Sequence, residues 1–340
     1  MKRTFLLCFI LLGWLHSAFG QATFNIDGFS EQYYGKVYFS DTTQTASAGW
    51  VEVYDRATKK KLIHVDANEL SFDLYDNPQK AYITKIPYEE QSAILYKDFN
   101  FDGVKDFAII DGFRNWTLGH SFKIFLASSK RFVFSDSFTE LTQDNQGMFT
   151  VNAINKTIST KSKIGDTWYQ YSDYIVENNK PKLIRRHTDD YEHAPFYRET
   201  IEELKGNKMV KTTRSSLALE RYHIEECFKF HVDKVNKDII LCNFYDDRLY
   251  YVILDAKQNV EFYYPFEELR QTSDFIFYRK NGKLTFKNKD ASYTIYDKSG
   301  NIGVDITYKG KTHRWKGNAK SRRGSIGKLL RSSLDNVVYQ

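Results

Sequence analysis

Residues 94–112 read Ile-Leu-Tyr-Lys-Asp-Phe-Asn-Phe-Asp-Gly-Val-Lys-Asp-Phe-Ala-Ile-Ile-Asp-Gly. A short apolar run comes first, a polar segment with a glycine follows, and a second apolar run extends from Phe107 to Ile110. Bulky apolar and aromatic residues in runs this short are typical of β-strands, and polar residues with glycine are typical of the turn between two strands. The stretch therefore predicts a strand, a tight loop and a second strand.

The same pattern recurs along the chain. Long amphipathic helical patterns are nearly absent, and 199–204 fits either a helical turn or a strand. The 24 Tyr and 26 Phe suit the half-buried faces of sheets. We therefore predict an all-β protein with little helix, built from sandwich, barrel or propeller-like sheets, and the lack of a fixed repeat argues against a propeller. Strand-like runs include 36–39, 50–54, 62–65, 122–126, 173–176, 249–254 and 293–296.

The length of the chain, 340 residues, exceeds what one hydrophobic core usually organises. A turn-like segment at 205–208 is followed by 211–216, which is polar and has no apolar alternation. We expect two β-rich domains after a signal peptide. The predicted parts are a signal peptide at 1–20, a calcium-loop β-domain at 21–210 and a C-terminal β-domain at 211–340.

The first residues have the three-part pattern of a secretory signal. Lys2 and Arg3 precede an apolar run, 5–15, which is shorter than the roughly 20 residues that span a bilayer. Segment 17–20 then offers small residues at the −3 and −1 positions of a cleavage site before Gln21. We expect an exported protein, periplasmic or secreted, and the rest of the sequence predicts no membrane span.

The polar loop has the pattern D-x-N-x-D-G-x-x-D, in which alternate residues can direct oxygens at one point. Gly103 allows the sharp turn, and Ile109 stands where an EF-hand would need a glutamate. We predict a structural Ca²⁺ that holds the following segment, 111–121, in place; the alternative is a solvated acidic turn without metal. The predicted ligands are Asp98, Asn100, Asp102, the Val104 carbonyl and Asp106.

Two further features are candidate sites. In segment 111–121, Arg114 and Trp116 are candidates for binding a protein partner, because Arg and aromatic residues dominate interface hot spots; the alternative is a buried Trp116.

Cys227 and Cys242 lie in strand-like runs on either side of a turn-like segment. In an oxidising compartment they predict a cross-strand disulfide, with two buried free thiols as the alternative.

Motifs for catalysis are absent from the sequence. There is no G-x-S-x-G elbow, no phosphate-binding glycine loop and no carboxylate pair at a useful spacing, so we do not expect an enzyme.

The net charge of +6 is spread over the chain and does not indicate a nucleic-acid partner. Residues 309–331 hold nine Lys or Arg and no acid, which fits either binding of an anionic cell-envelope polymer or a solvated basic edge.

Six segments carry a resemblance to a known family: 49–55, 86–92, 97–106, 122–126, 132–134 and 138–141. Together these segments of 23–190 resemble bacterial periplasmic immunity proteins of secreted lysozyme-like toxins, related in fold to periplasmic lysozyme inhibitors. The loop is also similar to those of FG-GAP repeats. The resemblance implies a β-rich fold, bound calcium and inhibition of a peptidoglycan-cleaving enzyme by a projecting loop, although 111–121 lacks the Gly- and Tyr-rich run of the family. The C-terminal region resembles uncharacterised exported bacterial domains through 286–288, 293–296, 303–304, 316–317 and 324–327.

The sequence thus leads to an expected function. We expect an exported calcium-binding protein that binds and inhibits a lysozyme-type, peptidoglycan-cleaving enzyme. The alternative is a calcium-stabilised cell-envelope binding or structural module without inhibitory activity. The features that separate the two are an aromatic loop near the calcium site, which favours the first, and a basic partner-binding segment, which favours the second.

Overall fold

The computed structural model describes residues 20–71, 85–87, 93–129, 131–192, 196–218, 227–244, 247–266, 273–298, 300–331 and 333–340, with backbone alone at 85–87 and 244. The predicted signal peptide lies outside the described residues except for Gly20, and so does most of 86–92. The chain divides into two compact units. The first comprises residues up to His187 with Glu202–Val210, and the second comprises Thr188–Ile201 with Lys211–Gln340.

The first unit begins with a five-stranded sheet of order β4-β3-β2-β1-β5, in which β5 pairs parallel to β1. Successive side chains of a strand point to opposite faces of the sheet, so one side chain faces the core and the next faces outward. In β2, for example, Val37 and Phe39 are buried while Lys36 and Tyr38 face outward. The strands are β1 (Ala22–Asp27), β2 (Tyr33–Phe39), β3 (Ala46–Asp55), β4 (Lys61–Ser71) and β5 (Lys85–Pro87).

A four-stranded antiparallel sheet of order β6-β7-β8-β9 follows. Strand β7, one of the two central strands, is buried over most of its length, and its apolar residues share one core with the first sheet. The segment 111–121, expected to be a loop, is instead a paired ladder of β7 and β8 with bulges at two places, since Asp111 and Arg114 have no cross-strand partner. The strands are β6 (Ile94–Lys97), β7 (Asp106–Asn115), β8 (Gly119–Ser128) and β9 (Arg131–Phe134).

One short helix, α1 (Asp136–Gln143), packs on β8. Phe138 is fully buried, and two buried threonines attach the helix to the strand. Thr139 Oγ1 accepts from Ile124 N at 3.0 Å, and Thr142 Oγ1 accepts from Phe122 N at 2.9 Å. The sequence patterns did not predict this helix.

A third sheet follows the chain order, β10-β11-β12-β13-β14-β15, and the division between the two units falls within its strands. Residues 199–204, for which helix and strand were both open, lie in β14. Residues 211–216 lie in β15, where they are mostly exposed. The strands are β10 (Thr150–Asn152), β11 (Thr157–Ile164), β12 (Trp168–Glu177), β13 (Lys180–Asp190), β14 (Phe196–Lys205) and β15 (Lys208–Leu217).

The second unit contains a four-stranded sheet of order β16-β17-β18-β19. Strand β18 is buried on both faces, which explains its continuous run of apolar and aromatic residues. Tyr251 is at the centre of the core, packed against Phe286 with a ring-centroid distance of 5.1 Å. The strands are β16 (Cys227–Val232), β17 (Lys237–Phe244), β18 (Arg248–Leu254) and β19 (Val260–Tyr264).

The last sheet has the order β24-β23-β22-β21-β20-β25, with β25 parallel to β20. Among the described residues β24 is an edge strand, and its residues 311–314 are exposed. A 3-10 helix (Ala319–Ser321) and α2 (Ile326–Leu329) follow. The strands are β20 (Phe275–Tyr278), β21 (Lys283–Asn288), β22 (Ala291–Lys298), β23 (Asn301–Tyr308), β24 (Lys311–Lys316) and β25 (Val337–Tyr339).

The prediction of an all-β protein with little helix is confirmed: the described residues form 25 strands, and the α-helices among them are α1 and α2. Each strand-like run singled out in the sequence lies within a strand. None of the helices in the described part of the chain has the length and apolar character needed to cross a membrane.

Candidate metal site and exposed hairpin

The loop between β6 and β7 brings the predicted ligands Asp98, Asn100, Asp102 and Asp106 around one turn. Asp98 accepts from the backbone, through Oδ2 from Gly103 N at 2.9 Å and through Oδ1 from Asp102 N at 3.2 Å. Asp102 Oδ1 accepts from Val104 N at 2.8 Å. Gly103 has φ +90°, a conformation that glycine adopts without strain, so the tight turn depends on this residue.

Asp106 is the buried end of this loop, with no exposed surface. Its Oδ2 accepts from Phe99 N at 2.8 Å, and its Oδ1 accepts from Ala127 N on β8 at 2.7 Å. Burial raises the pKa of Asp106 to about 6; the two backbone hydrogen bonds lower it, and the neighbouring Asp102 and Asp98 raise it further. The carboxylates therefore create a local negative potential that a cation would relieve.

Asn100 is also almost fully buried and is held by a residue far along the chain. Its Nδ2 donates to Asp102 Oδ2 at 3.0 Å and to Asn179 Oδ1 at 3.1 Å. The amide oxygen, Oδ1, accepts from Asp102 N at 3.3 Å and has a second lone pair that could face a cation. Asn179 comes from the β12–β13 turn, where Asn178 and Asn179 both have positive φ. The sequence patterns did not predict this contact. The consecutive residues Asn178 and Asn179 were the signal for the turn, because a two-residue type I′ hairpin turn requires positive φ at both positions and asparagine tolerates it.

The donor set decides which metal the loop fits. Three carboxylates and an amide supply oxygen alone, and hard cations such as Ca²⁺ prefer oxygen. Histidine and cysteine, which transition metals prefer, are absent from 98–106. Val104 is exposed at the same turn, with its carbonyl as the predicted backbone donor. These residues fit calcium.

The hairpin between β7 and β8 places Trp116 at its tip, where 94% of the side chain is exposed. The alternative of a buried Trp116 is therefore wrong. Its ring contacts Phe113 edge-on at 5.4 Å, and Arg114 is exposed on the bulge between them. The tip is a tight turn, since Asn115 Oδ1 accepts from Thr117 N at 2.9 Å and from Leu118 N at 2.8 Å.

The tip is attached to the body of the first unit through its backbone. Leu118 O accepts from Gly147 N at 2.8 Å, and Thr117 O accepts from Gln146 Nε2 at 2.8 Å. On the other strand, Phe113 N donates to Asn68 Oδ1 on β4 at 3.2 Å. The exposed ring of Trp116 is thus presented on a fixed backbone.

The loop and the hairpin tip lie at opposite ends of β7. Strands rise by about 3.3 Å per residue, so the ten residues from Asp106 to Trp116 separate them by about 30 Å. The predicted role of the ion in holding 111–121 in place stays a prediction. The metal loop is joined to the base of the hairpin, where the Asp106 carboxylate on β7 accepts a hydrogen bond from Ala127 N on β8.

Cys227 and Cys242 stand directly opposite each other on β16 and β17. Both are free thiols in this structure, so the predicted disulfide is not formed here. A hydrogen bond from the Cys242 thiol is the main cause that lowers the pKa of Cys227, and the same contact raises the pKa of the buried Cys242. The side chains are therefore in contact, and pairing of the two strands sets the geometry for an oxidised bond.

We expect mild oxidation of the folded protein to join Cys227 and Cys242 within one chain, because no strand has to move far. Mass spectrometry of a non-reduced digest would detect the linked peptides. Cys242→Ser is the control and should yield no internal link. Persistence of two free thiols after oxidation of the wild type would contradict the expectation.

A scan against protein-family models finds no match, and no curated protein matches the sequence. The solved structures that are similar to this chain have low sequence identities and low TM-scores. A Xanthomonas protein described as related to the type IV secretion system is 20% identical over 58% of this chain and 94% of its own, with a TM-score of 0.42. A prolyl endopeptidase is 7% identical over 88% of this chain and 42% of its own, with a TM-score of 0.24. The WD40 domain of Toxoplasma gondii coronin is 7% identical over 88% of this chain and 73% of its own, with a TM-score of 0.21. At these scores the likenesses carry no conclusion about function.

Proposed function

We propose that this chain is an exported calcium-binding protein that uses the hairpin tip to bind and inhibit a lysozyme-type, peptidoglycan-cleaving enzyme. The observation that carries the proposal is Trp116, a large aromatic side chain left 94% exposed at the tip of a hydrogen-bonded hairpin. The inhibitory role itself comes from the resemblance of 23–190 to periplasmic immunity proteins and lysozyme inhibitors.

A projecting tryptophan on a fixed backbone is the kind of residue that dominates a protein interface. Buried in a partner's cleft, its ring would lose contact with water, and apolar area buried in this way contributes about 25 cal/mol per Å². The hairpin is already ordered, so little conformational entropy is lost on binding. Arg114 beside it adds donors that suit a carboxylate, the group that glycoside-cleaving enzymes carry at their active sites.

The proposed calcium ion would act at the base of the hairpin. Asp98, Asn100, Asp102 and Asp106 would hold it through their oxygens, together with the Val104 carbonyl. Bound calcium neutralises the carboxylates that repel one another in the loop. Asp106 also binds Ala127 N, so the same carboxylate joins the loop to both strands of the hairpin stem.

A second candidate is a calcium-stabilised cell-envelope binding or structural module without inhibitory activity. The exposed basic residues of β24, Lys311 and Arg314 among them, favour an anionic envelope polymer as its ligand. β24 is also an edge strand of the described sheet, where exposed charge discourages pairing with other chains.

The test of the proposal is turnover of peptidoglycan by a panel of lysozyme-type hydrolases with added mature protein, in calcium and in chelator. We expect inhibition of at least one enzyme at near-stoichiometric ratios, stronger in calcium. Lack of inhibition across the panel, together with retention of the protein on purified envelope polymer, would favour the second candidate.

A further inference from the structure

A pocket of about 440 Å³ lies in the first unit, away from the hairpin tip. It is lined by the turns between β3 and β4 and between β8 and β9, and by 104–105 of the metal loop. The aromatic side chains Tyr33, Tyr96 and Phe132 line it and contact one another. Ring centroids lie 5.9 Å apart for Tyr33 and Tyr96 and 5.5 Å apart for Tyr33 and Phe132.

Three cationic side chains surround this aromatic wall: Lys60, Lys105 and Arg131. All three are exposed, and none forms an ion pair with another described residue. Lys105 Nζ lies 5.4 Å from the ring centroid of Tyr96, so this ammonium group makes a cation–π contact with the aromatic wall. They come from three separate segments of the chain, and the fold alone brings them to one pocket.

The other charged lining residues are already engaged. Lys61 Nζ is bound to Glu52 Oε1 at 2.7 Å. Asp55, the acidic residue of the described lining, accepts from both Thr58 N and Thr58 Oγ1 at 2.8 Å through one oxygen. That turn lowers the pKa of Asp55, so the group is ionised and offsets one of the three free cations. The described residues that line the pocket thus keep a net positive charge.

We propose that this pocket binds a small organic anion, a carboxylate or phosphate group carried on a sugar ring. Lys105, Arg131 and Lys60 would hold the anionic group, with Arg131 able to bind two of its oxygens at once. The aromatic wall would contact the ring. The pocket volume lies in the range of small-molecule sites, which combine apolar walls with a few polar groups. A free inorganic anion would leave the aromatic wall uncovered.

This inference is independent of the proposed inhibition of a lysozyme-type enzyme. The pocket lies at the metal-loop end of β7, about 30 Å from Trp116. No hairpin-tip residue lines it. A substitution in the pocket should therefore leave inhibition by the hairpin unchanged, and Trp116→Ala should leave anion binding unchanged.

The experiment is a calorimetric and ligand-detected NMR titration of the mature protein with D-glucuronate and with D-glucose 6-phosphate. D-glucose is the neutral control, and inorganic phosphate is the control without a ring. The titrations use calcium-free buffer, because calcium itself binds these anions. Variants are Arg131→Gln and Lys105→Gln, and Lys208→Gln is a matched control because Lys208 is an exposed lysine at the start of β15.

We expect one or both of the charged sugars to bind, with glucose and inorganic phosphate at least tenfold weaker. Each pocket variant should lose roughly tenfold or more in affinity, as for one lost charge-assisted hydrogen bond, and Lys208→Gln should match the wild type. Preference for glucuronate over the phosphate ester, or the reverse, identifies which anionic group is bound. Equal binding of glucose, equal binding of inorganic phosphate, equal losses in Lys208→Gln, or absence of binding by both charged sugars would each overturn the proposal.

Discussion

Asp106→Ala is expected to destabilise the first unit by about 2 to 4 kcal/mol even without calcium, because it leaves two buried backbone N–H groups without an acceptor. Phe99 N and Ala127 N both donate to this carboxylate. The measurement is urea unfolding in chelator at pH 5. Burial raises the pKa of Asp106 to about 6, so at pH 5 most of the folded protein carries it protonated. The loss of stability in the variant then measures the lost hydrogen bonds. Removing a buried negative charge contributes little to the difference, because the side chain is mostly uncharged at this pH.

Asp102→Ala is the matched control for this prediction. Asp102 belongs to the same loop, but it is exposed, and its bond to Val104 N is made at the surface. When the Asp102 carboxylate is removed, Asn100 Nδ2 keeps its bond to Asn179 Oδ1. Without calcium its replacement should cost within about 1 kcal/mol. Equal losses for the two variants would mean that Asp106 has no special role in joining the loop to β8.

Trp116→Ala is expected to weaken binding of the enzyme partner by roughly thirtyfold or more, since tryptophan hot spots cost at least about 2 kcal/mol when truncated. The measurement is the concentration of protein that half-inhibits the most sensitive hydrolase of the panel. The fold should remain intact, because the side chain is almost wholly exposed and loses mainly its contact with Phe113.

Ile154→Ala provides the matched control for the tryptophan. Ile154 is also 94% exposed, in the turn between β10 and β11, so it tests whether any exposed apolar residue matters. We expect inhibition by this variant to equal that of the wild type. If Trp116→Ala inhibits as well as the wild type, the hairpin tip is not the contact surface.

The strands were predictable because their signal is local. In β2 and β18 the order of apolar, aromatic and polar residues follows directly from which faces are buried. The loop at 98–106 was predictable for the same reason, because its residues are consecutive and its glycine stands where φ is positive. Patterns of this kind need no knowledge of distant residues.

Features that depend on distant contacts were not predictable. Helix α1 spans eight residues, and its buried threonines bind β8 from a polar-looking sequence. Segment 111–121 resembles a loop because bulges at Asp111 and Arg114 interrupt its alternation. Asn179 reaches Asn100 across 79 residues of sequence, and the anion pocket combines turns from three separate segments. Only the folded chain brings such residues together.

The central claim is that the loop at 98–106 binds calcium, and thermal unfolding with and without the ion tests it most directly. Extracellular calcium modules have dissociation constants of about 10⁻⁴ to 10⁻³ M, so about 10 mM calcium should add roughly 1.4 to 2.7 kcal/mol. For a unit of this size that predicts a rise in Tm of roughly 3 to 10 °C over the value in chelator. Asp102→Ala, which removes a ligand, should show no rise. An unchanged Tm in the wild type, or an equal rise in the variant, would contradict the calcium site.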